Sequence, residues 1–272
     1  MVKYIFLDID GTLLGKGGRV PASAVDAVQT AQKRGNKVFL CTGRSKGEIP
    51  KQVWEMGFDG IVGSAGAYVE AEGRVLFHRP MSGEMVKRLM ECLKEWDAYY
   101  AMETNEKAWM TKEHFEKVNK KFENMDIWED EVRKEFLESF GVCKSVLEME
   151  GVNKCIYYEC TASIEEMQEK LPEFTILPSS IENSGKNNGE ISEKGMSKAK
   201  GIEVLQQYYH IERSDIICFG DGLNDMEMIE FAGIGVAMEN GAEELKKIAD
   251  YVTDHVDENG LSKGFCKLGL IG

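Results

Sequence analysis

The chain opens on an apolar run, Val2 to Leu7, then a polar turn. A stretch from about Pro21 to Arg34 follows, with apolar positions at helical spacing and Gly35 closing it. A second apolar run, Lys37 to Cys41, completes a β–α–β unit. These runs are continuous rather than alternating, the pattern of strands covered on both faces, and so predict a parallel sheet flanked by helices. A helix from about Gly47 to Met56 and a short strand at Ile61 and Val62 extend it. From about Arg79 the texture changes. Pro80 precedes a helical stretch from Ser82 to Glu95, and aromatic and β-branched segments follow at Tyr99 to Thr104 and Ala108 to Thr111. A strand from Cys155 to Glu159, a helix opened by the capping box Ser163 and Glu166, and a strand from Phe174 to Leu177 continue this second module. The polar stretch Asn183 to Gly189 reads as a linker. Beyond it the first texture returns, with helices at about Ser197 to Tyr209 and Asp225 to Phe231 and strands at Ile216 to Phe219 and Ile234 to Ala237. The pattern predicts an α/β protein: a doubly wound, mostly parallel sheet built from residues 1–79 and 190–272, with an α/β module inserted at 80–189.

Composition narrows the function. With 43% hydrophobic residues in 272, the chain can bury a full core. Its 33 Lys and Arg against 47 Asp and Glu leave a net charge of −14, which repels phosphate backbones and anionic lipid surfaces. That counts against nucleic-acid and membrane partners, and an anionic substrate would need a local cation. The seven cysteines, an odd number with no C-x-x-C pair, argue against a disulfide framework and a thiolate zinc site and fit a reducing compartment. The run Tyr4 to Leu7 is too short for a signal-peptide core, and no later run approaches membrane-spanning length. The expected location is the cytoplasm, the expected state a monomer or weak homodimer.

Four stretches carry chemistry. Asp8-Ile9-Asp10-Gly11-Thr12 follows the first strand, where residues two apart share a side and Gly11 permits a sharp turn. Two carboxylates so close repel unless a cation lies between them, which points to a hard, oxygen-coordinated ion such as Mg²⁺, although an Asp-Gly turn alone is an ordinary feature. Gly220-Asp221-Gly222-Leu223-Asn224-Asp225 ends another apolar strand. Asp221 can complete the carboxylate cage, with Asn224 and Asp225 ligating or orienting from behind, or serving merely as helix caps. Thr42-Gly43-Arg44 offers a hydroxyl, backbone amides and a guanidinium suited to a phosphate. Lys198 would be a point charge beside that phosphate.

Together these stretches resemble the four ordered motifs of the haloacid-dehalogenase-like (HAD) superfamily, specifically its Cof-type phosphatases, and Gly235 to Gly241 resembles the family's closing segment. The resemblance implies that Asp8 is the nucleophile and forms an aspartyl-phosphate, and that Asp10 protonates the leaving oxygen and then activates water. It also implies Mg²⁺ held by Asp8, Asp10 (through its backbone carbonyl) and Asp221, with Lys198 neutralising charge. Thr12 and Thr42 would donate to phosphoryl oxygens, Gly43 and Arg44 would contact phosphate or substrate, and Asn224 and Asp225 would support the metal and Lys198. The insertion corresponds to the family's cap, whose aromatics Trp96, Tyr99, Tyr100, Trp109 and Trp128 form its core or line a substrate pocket. One departure stands out. Ala65-Gly66-Ala67 replaces the family's usual Asn-Gly-Ala, removing an amide that often borders the site.

The implied activity is Mg²⁺-dependent hydrolysis of a small phosphorylated metabolite, sugar phosphates being the first class. A phosphotransferase of the hexose-phosphate mutase kind would use the same intermediate. A non-enzymatic phospho-aspartate switch would need a long-lived phosphoaspartate, which Asp10 is placed to shorten. A dinucleotide-binding oxidoreductase is set aside because no G-x-G-x-x-G follows the first strand.

Overall fold

The computed structural model describes residues 2–123, 130–178 and 187–272, which divide into two compact units. The first comprises Met1–Gly43, Pro50–His78 and Ser197–Gly272, the second Arg44–Ile49 and Arg79–Met196. Among the described residues no helix is long and apolar enough to cross a membrane.

The strands, in chain order, are β1 (Tyr4–Leu7), β2 (Lys37–Cys41), β3 (Gly60–Gly63), β4 (Tyr68–Ala71), β5 (Arg74–His78), β6 (Tyr99–Glu103), β7 (Ala108–Thr111), β8 (Phe140–Cys143), β9 (Lys154–Tyr158), β10 (Phe174–Pro178), β11 (Gly189–Glu193), β12 (Ile216–Gly220), β13 (Ile234–Ala237) and β14 (Tyr251–Val252). The first unit's sheet runs β14-β13-β12-β1-β2-β3-β4-β5, parallel from β14 to β3 and antiparallel beyond. Its central strands are buried on both faces: Ile5, Phe6, Leu7, Phe39, Cys218 and Phe219 have no exposed surface. The continuous apolar runs foretell this. β1 lies between β2 and β12, so the strand order reverses there, and the loops at the carboxyl ends of these three strands meet at the switch point where such sheets bind ligands.

The second unit's sheet, β10-β11-β9-β6-β7-β8, is antiparallel except where β7 and β8 pair in parallel. Its core gathers Leu89, Leu93, Met102, Tyr157, Met167 and Phe174. Trp96 and Tyr100 are buried there too, whereas Tyr99 and Trp109 are half-buried, Trp109 donating to Thr104 Oγ1 at 3.2 Å. Trp128 lies outside the described residues, as do residues 183–186 of the expected linker.

The structure corrects three expectations. The boundary at 190 falls within β11, whose pairing with β9 and β10 keeps residues up to Met196 in the second unit. The helix expected over Gly47 to Met56 is broken at Pro50, leaving a 3₁₀ turn at Lys46–Glu48 and a single helical turn at Lys51–Trp54, because proline cannot donate to the preceding turn. Finally, Arg44–Ile49 packs with the second unit although the residues on both sides belong to the first.

Candidate active site

Three carboxylates and one ammonium converge at the carboxyl ends of β1 and β12. Asp8 follows β1, and its backbone N–H donates to the Phe219 carbonyl at 3.0 Å, continuing the pairing of the two strands past their ends. Asp221 follows β12 directly. Gly11 turns the chain at a φ of +84°, and a Cβ there would lie 2.1 Å from Asp221 Oδ2, so both conformation and close approach demand glycine. Asp225 is fully buried ahead of the helix Met226–Phe231. Its Oδ2 accepts the backbone N–H of Asp221 at 2.9 Å and of Gly222 at 2.8 Å.

Lys198 is the first residue of the helix Lys198–Tyr209, capped by Ser197. A cation there opposes the helix dipole, so its placement is carried by its partners. Its buried ammonium donates to Asp8 Oδ1 at 2.6 Å and to Asp225 Oδ1 at 2.5 Å. Burial pushes the Asp8 carboxyl up to about 7, Lys198 opposing and Asp225 and Asp10 adding to the rise. Asp221 is likewise raised well above the carboxylate range, by burial first and then by Asp8 and Asp225. On Lys198 burial acts to lower the pKa, but Asp225 and Asp8 outweigh it and the ammonium stays charged.

Asp8, Asp221 and Asp225 bring one ligand oxygen each within 4.8 Å of one another. One ammonium does not neutralise three carboxylates, and their mutual repulsion adds to burial, the larger cause, in raising the Asp8 and Asp221 pKa values. A hard divalent cation fits this donor set. The side chain of Asp10 is not in the convergent set; it is half-buried and acts on Asp8 by charge. Asp225 is in it, yet both of its oxygens already serve Lys198 and the Asp221 turn.

The other expected residues are placed as follows. Thr12 is buried and donates to Asp221 Oδ1 at 3.0 Å, which fixes that carboxylate. Thr42 is buried after β2, its backbone tied to Val62 at 2.8 Å and to Ala65 at 3.1 Å. Gly43 closes that stretch of the first unit, whereas Arg44 packs with the second and donates to the Glu48 carbonyl at 2.9 Å. Asn224 is half-buried beside Gly222. Sequence reasoning assigned no role to Asn240, whose amide donates to the Gly11 carbonyl at 2.8 Å while its oxygen accepts Val256 N–H at 2.9 Å. The same segment donates Met238 N–H to Gly220 and Ala242 N–H to Asp221, bracing both acidic turns. Its one signal was its place in the Gly235 to Gly241 stretch.

The sequence profile of haloacid dehalogenase-like hydrolases matches residues 5–265. The chain belongs to that family. Among its relatives, YkrA of Bacillus subtilis (strain 168) is 29% identical over 269 residues, 99% of this chain and 98% of its own. The 5-amino-6-(5-phospho-D-ribitylamino)uracil phosphatase YwtE of the same organism is 26% identical over 278 residues, 96% of each chain. Of solved structures, the HAD subclass IIB sugar phosphatase BT4131 superposes with a TM-score of 0.78 at 27% identity, covering 99% of this chain and all of its own. This HAD chain is thus a phosphatase of the Cof-like subclass IIB type, acting on phosphorylated small molecules, and its second, mixed sheet is the cap of that architecture.

Proposed function

We propose that the chain hydrolyses a small phosphorylated metabolite, a sugar phosphate first, through a phosphorylated Asp8. The observation that carries this reading is the pairing of buried Asp8 with buried Lys198 at 2.6 Å, which holds a carboxylate oxygen in place at the sheet's switch point. In the first step Asp8 attacks phosphorus, the bond from phosphorus to the leaving oxygen breaks, and Asp10 gives that oxygen its proton. In the second, water attacks the aspartyl-phosphate, Asp10 takes the water's proton, and inorganic phosphate leaves with Asp8 restored. Dividing the reaction between two in-line transfers lets one carboxylic acid serve both directions of proton transfer. Lys198 offsets the charge of the approaching phosphoryl group. Asp8, Asp221 and the Asp10 carbonyl would hold Mg²⁺, which supplies the remaining positive charge. Thr12 and Asp225 orient Asp221, Thr42 and Gly43 receive phosphoryl oxygens, Asn224 supports the Asp221 turn, and Arg44 contacts phosphate. The sugar-phosphate preference draws on the likeness to BT4131 and on the phosphorylated polyol chain in the substrate of YwtE.

Phosphate release from sugar phosphates, nucleotides, pyridoxal phosphate and an aryl phosphate, with Mg²⁺ or EDTA, tests this. Asp8→Asn should lower turnover by at least about a thousandfold while the fold persists. Full activity in that variant, or release that survives EDTA, would overturn the mechanism.

A further inference from the structure

The second unit buries another acid–base cluster, which the phosphatase chemistry does not use. Glu103, the last residue of β6, has no exposed surface, and as a carboxylate neither of its oxygens meets a hydrogen-bond donor among the described residues. Lys154 pairs with it in register from β9 and comes to 3.6 Å of its Oε2, but donates to Glu190 of β11. The remaining group against Glu103 is buried Glu48, whose Oε2 accepts the Ser45 N–H at 3.1 Å and hydroxyl at 2.6 Å. Three carboxylates thus share one ammonium, and an ionised Glu103 would be a buried charge beside a like charge. A carboxyl that keeps its proton removes the repulsion and becomes an O–H donor.

We propose that Glu103 holds its proton in the folded protein at neutral pH and donates it to Glu48, which makes it a positioning residue for the segment Arg44–Ile49. That segment directly follows Thr42 and Gly43, and it presses on the turn between β6 and β7 so closely that a Cβ on Gly47 would lie 1.9 Å from the Glu106 carbonyl oxygen. Arg44 is fixed in turn by its bond to the Glu48 carbonyl. Burial and then Glu48 push the Glu103 carboxyl well above its ordinary range, Lys154 opposing and Glu190 adding. The other titratable groups in its field are the Tyr158 hydroxyl and the Cys155 thiol, both raised by burial and neutral. A carboxyl with a raised folded pKa takes up a proton on folding. Its contribution is therefore full below the ordinary carboxylate range and falls as pH rises toward the folded value.

The proton assignment stands apart from the chemistry assigned to Asp8; only the effect on KM rests on the reading of Arg44 as a phosphate contact. The test uses full-length protein and its Glu103→Gln, Glu103→Ala, Gly47→Ala and Arg44→Ala variants. Gln keeps a donor toward Glu48 without titrating. The infrared difference between wild type and Glu103→Gln at neutral pH should carry the carbonyl band of a protonated carboxyl. From about pH 5 to 9 the wild-type melting temperature should fall relative to Glu103→Gln, while Gly47→Ala starts lower and keeps the wild-type slope. Glu103→Ala should raise KM severalfold with kcat within about twofold, and Glu103→Gln should restore it. Absence of the carboxyl band, or a wild-type slope in Glu103→Gln, overturns the proton assignment; an unchanged KM in Glu103→Ala overturns the positioning role when Arg44→Ala raises KM, and an unchanged KM in both variants overturns the reading of Arg44 together with the positioning role built on it.

Discussion

Two buried clusters in this molecule have the same ingredients, three carboxylates and one lysine, arranged to different ends. In the first unit, Asp8, Asp221 and Asp225 stand on turns after neighbouring parallel strands and aim one oxygen each at a common point. In the second, Glu103 and Glu190 approach Lys154 from two strands while Glu48 stands against Glu103 from a 3₁₀ turn, and no such convergence of three arises among the described residues. Convergent oxygens leave a place for a divalent cation. Dispersed ones leave a repulsion that a proton removes. The number of charges is therefore a poor guide to which buried cluster does chemistry, and the common focus of their lone pairs is a good one.

Replacing each lysine by methionine is the severest test of that contrast. Lys198→Met should abolish turnover and cost on the order of 3–5 kcal/mol of stability, since it strands Asp8 and Asp225 without their cation. Lys154→Met should cost a comparable amount by stranding Glu190. Denaturant titration with and without Mg²⁺ separates the two: the ion should return part of the loss in Lys198→Met and none in Lys154→Met. Equal recovery would erase the distinction.

The next effect is a pH dependence. The folded-state carboxyl of Asp8 sits near 7, above its unfolded value, so metal-free protein takes up a proton on folding and loses stability as pH rises from about 4 to 7. Melting curves in EDTA should show that decline, and saturating Mg²⁺ should flatten or reverse it by favouring the carboxylate. A slope indifferent to Mg²⁺ would remove Asp8 from the metal site. The smallest effect concerns Ala65, which holds φ 52° and ψ 36° in the turn after β3. Alanine tolerates that left-handed conformation poorly, so Ala65→Gly should stabilise by about 0.5–1 kcal/mol, and Ala65→Asn, the family's usual residue, should do so in the same direction. Thermal unfolding reads both.

Much of the first unit was legible because its strands are covered on both faces and read as unbroken apolar runs, and because Asp8, Asp221 and Lys198 each sit at the edge of an element that announces itself. The hairpin of β4 and β5 was not, since strands this short, one of them largely exposed, carry little pattern. The helices Lys112–Glu123 and Asp130–Glu138 escaped for a related reason: their sequences are mostly charged, with few apolar anchors. β11 carries only Ile191 as a strongly apolar residue and follows a run of glycines and asparagines, so the expected boundary falls between its first two residues. Asn240 and the Glu103 cluster lay beyond reach because their partners are remote in sequence. A lone asparagine in a loop, or a glutamate ending a strand, becomes informative only when the fold shows what it touches.

The pairing of β1 with β12, Tyr4 to Ile216 and onward, also has a consequence for the chain as it is synthesised. β1 can meet β2 early, but its other neighbour leaves the ribosome only after the whole of the second unit has done so. Folding units assemble in the order in which they emerge, so the insertion has time to complete its own sheet while the first remains half-built. The acidic centre, which needs Asp8 from one end of this interval and Lys198, Asp221 and Asp225 from the other, comes into being last. The nascent protein thus holds no assembled acidic centre until the chain through Asp225 has been made.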